Sequence, residues 1–286
     1  MKKRKHLLLA FTLLWAVALF RFPDEGFWQQ TNRHLELILG RREFDGIYIS
    51  TWGLAEIPRE PIPEVAASNA AAVNTFARNH PASRIYLVLV PHKIQQDAHY
   101  PEELTRAVAQ IPEMLENVTW VEVDPGIDGY YATDSHWNAR GALRGWTNIA
   151  KAMGLEPGIF TEYCLAENLY GSLARRSGHF FRQDTLFLLL PETQVHPAGT
   201  DRLWDDTGGD LFGVFPNRGL SFSTTADTGR NLLILGDEWA GALVPLVYPH
   251  FQRVTYALAS PEEDYTDVVI VYGAELFLSK PVPALG

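Results

Sequence analysis

The chain has 286 residues, 47% of them hydrophobic and 20% charged. That is enough apolar surface to bury the core of a large domain, and too hydrophobic a composition for a disordered chain. The formal charge is −10, and because Lys2, Lys3, Arg4, Lys5 and Arg21 precede the first acidic residue, the remainder carries −15; an acidic body of this kind repels polyanions and argues against nucleic-acid binding.

Residues 1–22 join the basic cluster to the apolar run 7–20, an n-region followed by an h-region. The run is shorter than the ~20 residues a span usually needs, but His6, Arg21 and Phe22 extend it by keeping their ends at the interface. Bulky Leu19, Phe20 and Phe22 continue it past the small Ala16-Val17-Ala18, which favours an uncleaved single-pass signal anchor over a cleaved, secreted form. Under either reading the positive cluster stays cytoplasmic and the body lies on the extracytoplasmic side of the cell membrane. Residues 23–45 read as a juxtamembrane segment, helical over 28–39, and residues 46–286 as one α/β domain.

Residues 44–50 read as a short strand, with a turn near Trp52-Gly53. Pro58, Pro61 and Pro63 lead into a helix over 64–79. The run 85–90 is continuously apolar and ends at Pro91, as suits a strand buried on both faces. A helix over 102–116, a strand over 120–123 and a helix over 138–153 follow, the last stopped by Gly154. Residues 164–225 change character: one strand, 185–190, lies among turn-rich stretches such as Gly208-Gly209-Asp210 and Pro216-Asn217, which predicts an irregular β-rich insertion. The rhythm then resumes with strands over 232–235, 253–257 and 268–272 and a short helix over 239–248. Strands alternating with helices predict a largely parallel sheet flanked by helices. The single cysteine, Cys164, allows no intramolecular disulfide and reads as a small apolar filler.

Two segments carry candidate chemistry, both just beyond strands, where open α/β sheets place their sites. In Tyr130-Tyr131-Ala132-Thr133-Asp134-Ser135-His136-Trp137-Asn138, an Asp-x-His at a helix start can set a carboxylate against an imidazole and fix its tautomer; Asp as an N-cap is the plainer alternative. In Leu235-Gly236-Asp237-Glu238-Trp239, a strand ends on a tight turn into a helix, the setting in which a nucleophile is held near backbone N–H groups; an ordinary capped turn is the alternative.

Together these segments resemble the DHHW family, relatives of the alginate-type O-acetyltransferases with an SGNH-hydrolase-like fold. Residues 130–142 resemble that family's Tyr-x-x-Thr-Asp-x-His-Trp-…-Gly-Ala signature. Val90-Pro91-His92-Lys93 with Tyr100-Pro101, the stretch from Tyr170-Gly171-Ser172 to Asp184, the block 232–245 and the strand 268–272 fit its other segments in order. The resemblance implies an O-acyltransferase or esterase with no cofactor and no metal. Its base would be His136, its orienting acid Asp134 and its oxyanion side Gly236 and Asp237, with Lys93, Tyr130 and Trp137 beside the substrate. The partner implied is an extracellular polysaccharide or an acyl-donor protein. The chain departs from the pattern twice: Ser135-His136 replaces the doubled His, and Glu238 stands where the family has its Ser nucleophile.

Loss of a triad nucleophile removes most of the rate, and a carboxylate attacking an acyl carbon gives a mixed anhydride rather than a stable acyl-enzyme. Ser135 is expected to point away from Asp134 and His136 if the local chain is extended. The reading preferred from sequence is therefore a catalytically impaired member of this class that binds a surface polysaccharide. An active O-acetyltransferase or esterase is the alternative, and a metal site built from Asp134, His136, Asp237 and Glu238 the least favoured.

Overall fold

The apolar runs become the centre of a seven-stranded sheet. The computed structural model describes residues 36–97, 102–198, 220–259 and 263–282. The expected anchor, most of the juxtamembrane helix, Tyr100-Pro101, Gly208-Gly209-Asp210 and Pro216-Asn217 lie outside those residues; among the described residues no helix is long and apolar enough to cross a membrane. The chain divides into two units, Met1–Asp45 and Gly46–Gly286. In the first, residues 36–38 are helical and β1 (Glu43–Phe44) follows; Arg41 pairs with Glu36 at 2.7 Å and lies over the Phe44 ring.

The second unit opens with the antiparallel pair β2 (Ile47–Ile49) and β3 (Leu54–Glu56) around a turn at residues 50–53. Then come α1 (Pro63–Asn79), β4 (Arg84–Val90), α2 (Glu103–Gln110), β5 (Thr119–Val121) and α3 (Ala139–Ala152). The middle holds β6 (Phe160–Leu169), α4 (Ser172–Ser177), β7 (Asp184–Pro191), β8 (Pro197–Ala198) and β9 (Leu220–Thr224). The last part is β10 (Asn231–Gly236), α5 (Glu238–Gly241), α6 (Val244–Val247), β11 (Arg253–Ala257), β12 (Asp267–Gly273) and α7 (Ala274–Ser279).

The sheet order is β5-β4-β12-β10-β11-β9-β8. The first five strands are parallel, and β9 and β8 extend one edge antiparallel. Because strand side chains alternate faces, β4, β10 and β12 feed two cores. Val88, Ile234 and Val271 pack with Trp146 of α3 and with Leu243, Val244 and Leu246 on one face. Leu87, Leu235 and Ile270 pack with Val73 and Phe76 of α1 and with Phe277 and Leu278 of α7 on the other. Each such side chain, fully buried, is worth roughly 1.5–3 kcal/mol, so these three strands set the position of everything at their carboxyl ends.

The structure departs from the sequence-based expectation in three places, each with a local cause. The helix expected over 102–116 ends at Gln110 and tightens to a 3₁₀ turn, Ile111–Met114, where Pro112 removes a backbone donor. The helix expected over 239–248 splits into α5, α6 and a 3₁₀ turn, Tyr248–His250, with Pro245 and Pro249 each opening a new segment. The insertion contains a strand the sequence pattern does not announce: β6 pairs antiparallel with β7, but most of its residues are exposed, so it lacks the alternation that marks a half-buried strand.

Candidate functional site

The Asp134–His136 segment is a closed loop, with Tyr130 bridged to Trp137 and the Tyr131 N–H donating to the His136 carbonyl at 3.1 Å. His136 Nδ1 lies 2.8 Å from Asp134 Oδ1, and the same oxygen accepts the His136 backbone N–H at 3.2 Å. The other oxygen, Oδ2, accepts from the N–H of Ser172 at 2.9 Å and from its Oγ–H at 2.7 Å. Asp134 is fully buried. Burial opposes its ionisation, but the bonds from His136 and Ser172 win and hold its carboxyl below the usual carboxylate range. The turn at Gly171 is steric: a Cβ there would lie 2.5 Å from the Thr133 carbonyl oxygen and 2.6 Å from the Asp134 Cβ. A larger residue at 171 would lift α4, and with it Ser172, off the loop.

A second layer holds the loop from below. Asp184 accepts the N–H of Ala132 at 2.6 Å and of Thr133 at 2.8 Å, and also the Thr133 hydroxyl. Lys93 Nζ donates to the carbonyls of Leu54 at 2.6 Å, Tyr131 at 2.5 Å, Ala132 at 3.2 Å and Asp134 at 3.3 Å. Burial pulls the Lys93 pKa down to about 7, against the opposing pull of Asp184 and Asp134.

Glu238 arrives from the other side. β10 ends at Gly236, whose φ of +154° places it where a Cβ would sit 1.9 Å from the Val271 carbonyl oxygen, so only glycine makes this turn. Asp237 caps α5 by accepting the Trp239 N–H at 3.1 Å, and its other oxygen accepts the Gly273 N–H at 2.9 Å. Burial pushes the Asp237 carboxyl up to about 7. Glu238, the first residue of α5, places Oε1 3.4 Å from His136 Nε2. The three residues expected to share a site, Asp134, His136 and Glu238, therefore do so.

The consequence is electrostatic. Burial works against the imidazolium, but hydrogen bonds and charge from Asp134 and Glu238 outweigh it and raise the His136 pKa to about 9. A folded-state value above the unfolded ~6.5 contributes stability that is full below ~6.5 and is lost as pH rises through about 9. The His136 ring resonances, followed by nitrogen NMR, are expected to titrate near 9 in the parent. In Glu238→Gln the midpoint is expected to fall by roughly one pH unit, the lower end of a close charge's effect because Glu238 is half exposed. An unchanged midpoint would show that Glu238 exerts no field at His136.

A cavity of about 120 Å³ opens at this point, walled by Val90, Ser135, His136, Glu238, Trp239 and Leu276, with Glu56 and Glu275 also reaching it. The Trp239 ring lies 4.8 Å from the His136 ring and meets Trp137 edge-on. Three expected substrate contacts need correction. Lys93, Tyr130 and Trp137 are 1%, 4% and 1% exposed and do not wall the cavity. Lys93 is consumed by backbone carbonyls, Tyr130 donates its hydroxyl to the Pro91 carbonyl at 2.6 Å, and Trp137 donates its indole N–H to the Trp239 carbonyl. Ser135 is also corrected: it lines the cavity beside His136, because residues 132–136 run through successive bends and strand alternation does not apply. Among the described residues no group of three or more His, Cys, Asp or Glu is placed to hold a metal ion. Ser172, Asp184, Trp239, Glu56 and Glu275 have no site role assigned from sequence; Ser172, Asp184 and Trp239 carry a signal, lying in segments that match the DHHW pattern, and Glu56 and Glu275 carry none.

No family model matches the sequence, and no curated protein matches it. Solved structures do. A DHHW family protein from Eubacterium siraeum DSM 15702 superposes with a TM-score of 0.71 at 15% identity, over 85% of this chain and 95% of that one. PatB1 from Bacillus cereus gives 0.63 at 18% identity, over 83% and 99%. The O-acetyltransferase domain of Pseudomonas putida AlgJ gives 0.51 at 15% identity, over 82% and 93%. The resemblance drawn from the motifs thus holds in three dimensions: this chain has a mixed α/β fold, built on a mostly parallel sheet flanked by helices, similar to that of a DHHW family protein, PatB1 and the AlgJ O-acetyltransferase domain.

Proposed function

We propose that the chain is a membrane-tethered cell-envelope protein of the O-acyltransferase and esterase class, catalytically silent, whose pocket binds a surface polysaccharide. Residues 7–22 would anchor it, and the domain from residue 46 onward would face the outside. The observation that carries the reading is the Glu238 carboxylate 3.4 Å from His136 Nε2, at the position where the family pattern has a nucleophilic hydroxyl. An imidazolium ion-paired to that carboxylate has no lone pair with which to take a proton, so it is no general base near neutral pH. Attack by Glu238 itself would give an anhydride, and carboxylate nucleophiles serve mainly glycosyl and phosphoryl transfer.

The alternative, an active O-acetyltransferase or esterase, draws on the intact Asp134–His136 pair. The full chain, assayed with a simple acetyl ester across neutral to alkaline pH, separates the two. The silent reading expects turnover no faster than buffer and no change in His136→Ala. Robust turnover abolished by His136→Ala would replace it with the active reading, and loss in Glu238→Gln as well would make Glu238 catalytic.

A further inference from the structure

We infer that a basic and aromatic apex of the domain, residues 175–183, docks on the anionic phospholipid surface to which the chain is tethered. Phe180 and Phe181 enter the lipid interface, and Arg175 and Arg182 meet headgroup phosphates. The inference rests on the reading that residues 7–22 anchor the chain, and it names the face that the domain turns to the membrane.

The apex is an ordered turn. α4 ends at Ser177, and Gly178, at a φ of +66°, reverses the chain in the left-handed conformation that ends many helices. The Ser177 hydroxyl accepts the His179 N–H at 3.2 Å. Phe180 stands edge-on to Tyr170 at 5.0 Å, His179 stands edge-on to Phe181 at 4.9 Å, and the Gln183 amide donates to the Tyr170 hydroxyl at 2.9 Å. Within this packed turn Phe180 and Phe181 are still 41% and 63% exposed. Two adjacent phenylalanines held out on an ordered turn are apolar surface that folding leaves available to an apolar phase.

Charge is an independent reason. The chain after residue 21 carries −15, yet residues 172–183 hold Arg175, Arg176 and Arg182 and no acidic residue. Arg176 pairs with Glu56. Arg175 and Arg182 have no carboxylate partner among the described residues. Arg175 donates to the Tyr170 carbonyl through Nε and Nη2, and Arg182 to the Thr51 carbonyl through Nη2. A guanidinium has five N–H donors, so each exposed arginine keeps donors for a phosphate oxygen. An anionic surface repels an acidic body everywhere except at such a cationic face, which fixes the side that approaches.

Position favours the tethering membrane over a soluble polyanion. The chain from the anchor enters the domain at Gly46, and the first elements it meets are β2 and β3. The apex is fastened to that pair twice. Arg182 reaches Thr51 in the turn between the strands, and Arg176 reaches Glu56, which lies opposite Ile47 at the start of β2. The apex therefore lies beside the point where the tether joins. Tethering makes docking intramolecular, so two arginines and two phenylalanines are enough to hold a contact that would be weak between free partners.

The test is amide hydrogen exchange of the full chain in lipid nanodiscs, one set of phosphatidylcholine alone and one of an equal mixture with phosphatidylglycerol. Both sets hold the anchor, so only the docking surface differs. Exchange over residues 178–183 is expected to be slower on the order of tenfold in the anionic discs, the gain from two arginines at an anionic surface, and to recover with added salt. Arg175→Gln with Arg182→Gln should abolish the slowing, and Phe181→Ser should weaken it several-fold. All three side chains are exposed, and matching melting curves would confirm that the variants fold. If one fails to fold, the lipid and salt dependence of the parent decides the same point. Slowing equal in both sets of discs, or spread evenly over the domain, would overturn the inference. So would equal slowing of these residues by a soluble tetragalacturonate in the zwitterionic discs, since the apex would then be a site for a soluble polyanion. A chain that does not co-elute with the discs removes the anchor reading and this inference with it, whereas an inserted chain without lipid-dependent slowing removes this inference alone.

Discussion

Glu238→Ser is expected to raise turnover of a simple acetyl ester by on the order of 10²–10⁴, the usual contribution of a positioned general base. Three features of the parent support a gain of this size. Gly236 and the Asp237 cap hold residue 238 at the head of α5 by backbone geometry and hydrogen bonds that do not involve the Glu238 side chain. The Asp134–His136 pair is already set at 2.8 Å, with the second carboxylate oxygen tied to Ser172. The substitution also removes the carboxylate that helps to keep His136 protonated. Without that carboxylate the His136 pKa should fall, so activity should rise with pH through a midpoint below about 9. Glu238 is half exposed, so the exchange should shift stability by only ~0–1 kcal/mol.

The companion variant is Glu238→Ser with His136→Ala, which should lose the gain entirely, since nucleophile and base act as one unit. A Glu238→Ser protein that melts like the parent, titrates His136 below 9 and still turns over no ester would overturn the reading that residue 238 alone decides turnover. Activity in the parent that falls on the same substitution would assign Glu238 a catalytic role.

The sheet was legible because its central strands are read by a strong signal. Residues 85–90, 232–235 and 268–272 are unbroken apolar runs, and runs of that length between turn residues have few other places to go. The site residues were legible for a different reason: local pattern left an ordinary cap open at each segment, and the resemblance to the DHHW signature singled out Asp134, His136 and Glu238. What was not legible is long-range and depends on backbone rather than side-chain type. Lys93 reads as a substrate contact because it fits the resembled family's segment after this strand; that it turns inward to four carbonyls depends on where residues 54 and 131–134 lie. Trp137 and Trp239 are the same residue type on either side of one indole-to-carbonyl hydrogen bond, and sequence does not say which of the two is buried and which walls the cavity. β6 was hidden by its want of periodicity. The helix breaks at Pro112 and Pro245 follow from proline's missing donor, a local signal masked by the longer apolar pattern that runs through both.

Asp184→Ala is expected to be the most destabilising single change around the site, at ~3–5 kcal/mol, the cost of removing one partner from a buried charged network. Asp184 and Lys93 grip the same stretch of chain by opposite groups: the carboxylate takes the N–H of Ala132 and Thr133 and the Thr133 hydroxyl, while the amine takes the carbonyls of Tyr131, Ala132 and Asp134. The loop carries little apolar side-chain packing of its own at Ala132, Thr133 and Asp134, so these bonds, more than burial, fix its path. Alanine at 184 would strand two backbone donors and a hydroxyl away from water, at ~1–3 kcal/mol for each group that finds no new partner. For a domain of this size ~2–4 °C of melting temperature accompanies each kcal/mol, so a fall on the order of 10 °C should be seen. Asp184→Asn keeps one acceptor oxygen and should lose about half as much. Lys93→Met, similar in length but without the donor, should match the alanine variant. The loop carries Asp134, so both severe variants should also lower the His136 titration midpoint toward its ordinary value. If Asp184→Ala melts within about 1 °C of the parent, too small a shift for even one stranded group, the loop is held by something other than this clamp.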